Sequence, residues 1–133
     1  MSNVDAVKPY KIAFEYRPTY LYAHVEGEKY SYEILMQYFE EIVEECRENN
    51  FRQVLVEEDI TEITSMVDIF RTASELPRLG FTRIRLAFVD RHPKHKDLNK
   101  FCLLVAANRG MDVQLFDNVA DADIWLSEKG KSR

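Results

Sequence analysis

Six consecutive residues, Arg91-His92-Pro93-Lys94-His95-Lys96, concentrate cationic and titratable side chains in a chain that is otherwise acidic. Through Arg91, His92, Lys94, His95 and Lys96 such a run can hold an anion or a carboxylate-rich partner, above all where a following helix offers free backbone N–H groups. The same run also reads as a solvated loop that balances nearby acidic residues, because surface charges are individually weak. His92 and His95 lack an accompanying ligand set at diagnostic spacing, so no metal is expected. Neither this loop nor the facing acidic loop over residues 58–65 offers a Ser-His-Asp, Cys-His or glycine-rich phosphate signature, so no catalytic role and no cofactor are expected.

The whole chain carries a net charge of -5 and a pI near 5.2, which argues against general nucleic-acid or anionic-membrane binding. Its 133 residues, 46% of them apolar, suit one domain over residues 1–133 with a continuous core and a flexible lead over residues 1–9. Cys46 and Cys102 fall on the apolar stripes of two expected helices, where a thiol behaves as a small hydrophobe and stays reduced. No apolar run approaches the roughly 20 residues that span a bilayer, and residues 1–8 lack the apolar middle of a secretory signal. The expected location is the cytoplasm.

Those side chains must be positioned by a regular series of elements. Residues 11–17 and 20–26 alternate apolar with polar around Pro18-Thr19, as the two arms of an antiparallel hairpin do. Ser31 then caps a helix whose Ile34, Leu35, Tyr38, Phe39, Ile42, Val43 and Cys46 recur at helical spacing. Residues 51–58 read as a strand, and residues 65–76 as a helix with Val67, Phe70 and Ala73 inward, stopped by Pro77 and Gly80. Residues 84–90 alternate as a strand, 98–109 carry a helical stripe ended by Gly110, 113–117 are a strand, and 118–129 form the closing helix. Val54, Ile84 and Val113 occupy comparable points of three successive strands at the spacing of strand-helix-strand units. Right-handed crossovers then make the last four strands parallel and leave the first antiparallel on the edge. Polar residues such as Gln53, Glu57, Arg83 and Arg85 interrupt the strands, so most helices are expected on one face.

The stretch Ala107-Asn108-Arg109-Gly110-Met111-Asp112-Val113-Gln114-Leu115-Phe116, followed by residues 120–126, resembles the C-terminal signature of the STAS superfamily. This group contains the SpoIIAA-like domains, anti-sigma-factor antagonists among them. The resemblance implies an α/β fold ordered β-β-α-β-α-β-α-β-α, with a mixed five-stranded sheet, an antiparallel first strand and four main helices. It also implies a phosphorylatable Ser or Thr at the start of the helix after the third strand, which falls here at Thr64 or Ser65. The usual Asp-Ser-Ser/Thr-Gly pattern is missing. A plain alternative is that Ser65 is an N-cap accepting from the N–H of Asp68 while Asp68 reaches back, and a phosphate among Glu57, Glu58, Asp59 and Glu62 would meet like charge.

Tyr10, Tyr16, Tyr20, Tyr22, Tyr30 and Tyr32 lie in or beside the hairpin. Amphipathic rings on an uncovered sheet face suit a protein interface, and Tyr16, Tyr20 and Tyr22 are the candidates for a homodimer contact. They equally suit a half-exposed strand. Trp125 and Leu126 fit a helix packed on the sheet, and His24 reads as structural. The chain is therefore expected to be a noncatalytic interaction or regulatory module that binds a protein partner. The alternative is a small-molecule or anion binder, conceivably an enzyme, using the carboxyl edge of the sheet.

Overall fold

The structure, a computed structural model, describes residues 8–63 and 65–131. Strands β1 (Tyr10–Tyr16) and β2 (Leu21–Tyr30) pair antiparallel, and β3 (Gln53–Ile63), β4 (Arg85–Asp90) and β5 (Asp112–Phe116) add in parallel. The result is one five-stranded sheet in the order β1-β2-β3-β4-β5. Helices α1 (Tyr32–Glu48), α2 (Met66–Glu75) and α3 (Lys96–Asn108) connect the parallel strands, and α4 (Val119–Lys131) closes the chain. This is the mixed α/β architecture expected from the order of elements.

Ser31 starts α1, where its hydroxyl accepts the Ile34 N–H at 3.2 Å. From there Leu35, Tyr38, Phe39, Ile42, Val43 and Cys46 keep one helical stripe out of water. Each aliphatic or phenylalanine side chain buried in this way contributes roughly 1.5–3 kcal/mol. Short 3₁₀ turns at Leu76–Leu79 and Phe81–Arg83 carry the chain from α2 to β4 around Gly80. Gly80 has φ 117°, and a Cβ there would lie 3.2 Å from the Val43 side chain, so the turn needs glycine twice over.

One core lies beneath α1, α2 and α3 and takes Leu21, Ala23 and Val25 of β2, Val54, Val56 and Ile60 of β3, and Leu86 and Phe88 of β4. A smaller one on the opposite face joins Tyr20, Leu55, Ala87 and Val89 to Ala122 and Leu126 of α4, with Trp125 packed beside it. Three helices thus share one face and α4 alone covers part of the other, over β3, β4 and β5. The interior strand β4 accordingly buries Leu86, Ala87, Phe88 and Val89 in succession.

Two expectations are corrected here. Residues 59–63 are strand, not loop, because β2 runs on to Tyr30 and pairs Val25 with Glu58, Gly27 with Ile60 and Tyr30 with Ile63. Glu57, Glu58, Asp59, Thr61 and Glu62 therefore sit in β3. In α2 the inward face is Ile69, Thr72 and Ala73, while Val67 is 72% and Phe70 41% exposed. The sequence pattern allowed either stripe, and the anchoring of α2 to α1 selects the less apolar one. Tyr32 at the start of α1 gives its N–H to Asp68 Oδ2 at 3.2 Å, gives its hydroxyl to Glu75, and lies under the Arg71 guanidinium. Asp68, expected to reach back to its own cap, thus accepts from α1 through Oδ2. Residues 1–7 of the expected flexible lead lie outside the described residues.

Candidate functional site

Glu58 of β3 and Asp90 of β4 are register partners on neighbouring parallel strands. Glu58 is 2% exposed, and the Asp90 side chain 4%. Carboxyl groups are seldom buried without partners, and these are richly supplied. Tyr30 of β2 donates to Glu58 Oε1 at 2.5 Å and reaches Asp90 Oδ2 at 3.3 Å, while Tyr38 of α1 donates to Glu58 Oε2. Asp90 also accepts the His92 N–H at 2.8 Å and the Asn99 amide at 2.8 Å, and faces His95 Nδ1 at 3.1 Å. Burial holds the Glu58 carboxyl well above the usual carboxylate range, the Tyr30 bond opposes that shift, and neighbouring Asp90 adds to it. The Tyr30 hydroxyl is raised by burial and then by the two carboxyl groups.

Such an acid pair resembles the machinery of proton transfer, but it is sealed. The crevice beside it, between α1, α2 and α3, has about 40 Å³ and is lined by Tyr30, Glu58, Thr72, Asn99 and Cys102 with apolar walls. That volume matches a water molecule rather than a substrate. Cys102 at its edge has its thiol pushed up to about 11 by burial, and Cys46 to about 12. Both cysteines are free and buried.

The basic run 91–96 does not present five free cationic or titratable groups. Arg91 lies 3.8 Å from Glu57, His92 Nε2 2.7 Å from Asp59 Oδ1, and Lys96 3.1 Å from Asp117. His95 is buried, 3% exposed, against Asp90 and the Tyr30 ring. Lys94 is exposed. β3 supplies two of these partners, Glu57 and, from the stretch expected to be an acidic loop, Asp59. Among the described residues no group of three or more His, Cys, Asp or Glu side chains is arranged to hold a metal ion.

Ser65 caps α2, its hydroxyl accepting the Asp68 N–H at 3.2 Å. Thr64 lies outside the described residues. Immediately beyond the cap, α2 exposes Met66, Val67 and Phe70, and α3 exposes Phe101 and Leu104 beside them. The Phe70 and Phe101 rings stack at 6.0 Å between centroids and so join the two helices into one apolar surface. Arg71 and Lys100, the chain neighbours of these two rings, are also exposed. Sequence reasoning missed this surface because it placed Val67 and Phe70 in the core.

Nor do the tyrosines share a face. Tyr16 packs on Phe51 and donates to Glu45 on the α1 side, whereas Tyr20 and Tyr22 point to the α4 side. Tyr20 is buried and donates to Asp123 at 2.5 Å, and burial with that bond pushes its hydroxyl up to about 12. Tyr22 is half-buried and donates to Glu57. The register forces this split, since Tyr16 faces Leu21 while Glu15 faces Tyr22.

No family model and no curated protein sequence matches the chain. Solved structures do. The chain is similar to the crystal structure of an anti-sigma factor antagonist from Mycobacterium paratuberculosis, with a TM-score of 0.60 and 14% identity over 93% of this chain and 99% of that one. It is likewise similar to an uncharacterized protein of the DUF3478 family with a SpoIIAA-like fold from Shewanella loihica, with a TM-score of 0.54 and 15% identity over 94% and 99% of the two chains. At such identity the likeness carries the fold alone: this chain has a SpoIIAA-like fold.

Proposed function

We propose that this SpoIIAA-like domain is a noncatalytic regulatory module, acting as one unit in the cytoplasm, that binds a protein partner through the joined face of α2 and α3. The observation that carries this reading is the exposed apolar surface of Met66, Val67, Phe70, Phe101 and Leu104. Contiguous exposed apolar side chains mark interaction sites on soluble domains, and stacked aromatic rings make good anchors. Exposed Lys100 flanks Phe101, Arg71 beside Phe70 is paired with Glu75 and laid on the Tyr32 ring, and Lys94 lies at the edge of the sheet where both helices begin. A partner segment with an apolar stripe and acidic flanks fits that arrangement. The anti-sigma factor antagonist of similar fold supports a regulatory role. The anion-binding reading has less support, because Arg91, His92, His95 and Lys96 each face an acidic side chain. No helix among the described residues is long and apolar enough to cross a membrane.

Affinity capture from native cell extract with the wild-type chain and with the double variant Phe70→Ser/Phe101→Ser tests the reading. A protein retained by the wild type and lost by the variant, with the variant's circular dichroism intact, supports it. Equal capture by both sinks the proposed face. A second copy of this chain as the retained species, seen as a dimer in sedimentation, would make the face a homodimer contact instead.

A further inference from the structure

We propose that the Glu58–Asp90 pair is a proton-operated latch that seats α3 on the sheet and thereby governs the assembly of the α2–α3 face. Its functional consequence rests on the docking reading above, while the latch itself stands on the geometry of the buried cluster. Asp90 is the anchor of the segment that follows β4, since it receives the His92 N–H, the His95 ring and the Asn99 amide of α3. Glu58 sits beside it in register, and the Tyr30 hydroxyl spans the two carboxyl groups.

With Glu58 neutral the cluster holds one carboxylate, which those donors satisfy. An ionised Glu58 would put two negative charges on adjacent strands about 5 Å apart, out of water. The groups facing it are Tyr38 from α1, Tyr30 from β2, Asp90 from β4, His95 beyond β4, and Asn99 and Cys102 from α3, with Thr72 from α2. Among the described residues lining the crevice none is Lys or Arg. Tyr30 and Tyr38 already donate to Glu58 and the His95 ring is engaged with Asp90, so further relief of a second charge must come from water, and the crevice has about 40 Å³, too little to hydrate a carboxylate. To admit more, α3 or α2 must move outward, and α3 is held at its start through the same Asp90. Phe101 and Leu104 ride on α3, so the stacking of Phe101 on Phe70 follows the latch. The upward displacement of the Glu58 carboxyl by burial agrees with a closed, protonated state.

The test uses the full chain without a partner. The ¹³C resonance of the Glu58 side-chain carboxyl is followed through a pH titration, and amide exchange of α3 and α4 is measured over the same range, corrected for the intrinsic pH dependence of exchange. The expected result is a Glu58 midpoint above that of free glutamate. The opening constant of α3 should rise by about tenfold per pH unit up to that midpoint and then level off, as coupling to one proton requires, with α4 unaffected. Glu58→Gln should flatten the α3 profile. A Glu58 that titrates with the surface carboxylates, or an α3 opening constant independent of pH in the wild type, overturns the latch. If Glu58→Gln does not fold, the two wild-type profiles still decide. Loss of the docking reading through equal capture by the Phe70→Ser/Phe101→Ser variant leaves these profiles untouched, so the two failures are told apart.

Discussion

Tyr38 of α1 donates its hydroxyl to Glu58 of β3, and both side chains are withdrawn from solvent. The pair is one case of a wider rule in this molecule. All seven tyrosines give their hydroxyls to acidic side chains: Tyr10 to Glu41, Tyr16 to Glu45, Tyr20 to Asp123, Tyr22 to Glu57, Tyr30 and Tyr38 to Glu58, and Tyr32 to Glu75. A phenol donating to an ionised carboxylate makes a short, strong bond, Glu58 accepts as a neutral carboxyl, and most of these bonds tie one element to another. The tyrosines of the hairpin act as fasteners, Tyr10, Tyr16 and Tyr20 to helices and Tyr22 and Tyr30 from β2 to β3.

Replacing Tyr38 with Phe should leave a buried Glu58 oxygen short of a donor and cost about 1–3 kcal/mol, the penalty of an unsatisfied buried polar group. Tyr16→Phe removes an equivalent bond at a ring that is 60% exposed, where water replaces the lost donor. Urea unfolding should show a clear drop in midpoint for the first and an unchanged midpoint for the second. Equal shifts would mean that burial does not rank these bonds.

Glu58 also predicts the sign of a pH dependence. Its carboxyl is raised in the folded state by burial, so the native chain keeps a proton that the unfolded chain releases above the ordinary glutamate range. The stability contributed by this protonated group is complete below the unfolded value and is lost as pH rises through the folded one. Unfolding free energy should therefore fall as pH rises above the ordinary glutamate range in the wild type and fall less in Glu58→Gln. Parallel curves for the two proteins would show that Glu58 is not the group responsible.

The fold was legible because its signals are local. The stripe from Leu35 to Cys46 and the even spacing of Val54, Ile84 and Val113 each depend on a few neighbouring residues, and parallel pairing follows from chain geometry. Glu58 was not legible, since a glutamate in an acidic run reads as solvated until Tyr30 and Tyr38 arrive from other elements. Val67 and Phe70 were misread for a related reason. The helical period leaves two stripes available on α2, and tertiary contacts of Tyr32 with Asp68 and Glu75 choose between them. The charge of the loop 91–96 was visible, but its neutralisation by Glu57, Asp59, Asp90 and Asp117 is a property of the assembled sheet edge.

Cys46 and Cys102, both buried and both with thiols raised by burial, should react slowly with a thiol reagent in native buffer and rapidly after unfolding. Fast reaction of Cys102 alone would place the α1, α2 and α3 crevice in an open state under native conditions.

Ser65 separates a cap from a switch. Ser65→Ala removes the acceptor for the Asp68 N–H and should cost about 1 kcal/mol, whereas Ser65→Asp, itself a good N-cap, should keep most of that stability. A negative charge there adjoins Met66 and Val67 at the start of the docking face. Under the proposal that phosphorylation at Ser65 or Thr64 regulates binding, Ser65→Asp should weaken partner capture and Ser65→Ala should not. Indistinguishable capture by the two variants would leave Ser65 a cap alone.

The basic loop and the apolar face make different demands on salt, and this distinguishes a rim from a core of the interface. Lys94 is exposed, and Lys96 and Asp117 keep 48% and 69% of their side-chain surface in water while 3.1 Å apart, so that ion pair contributes little to stability. Lys94→Glu/Lys96→Glu should change unfolding free energy by no more than about 1 kcal/mol. A rim of positive charge acts on a partner through a screened field, so the double variant should weaken binding at low salt and converge on the wild type as salt rises through a Debye length of about 10 Å. Phe70→Ser/Phe101→Ser instead removes buried apolar area, and its loss of affinity should persist at every salt concentration. Isothermal titration of the captured partner against the three proteins at low and high salt reads both effects. Unchanged affinity of the lysine variant at low salt would remove the loop from the site, and a salt-sensitive loss for the phenylalanine variant would remove the apolar face from its core.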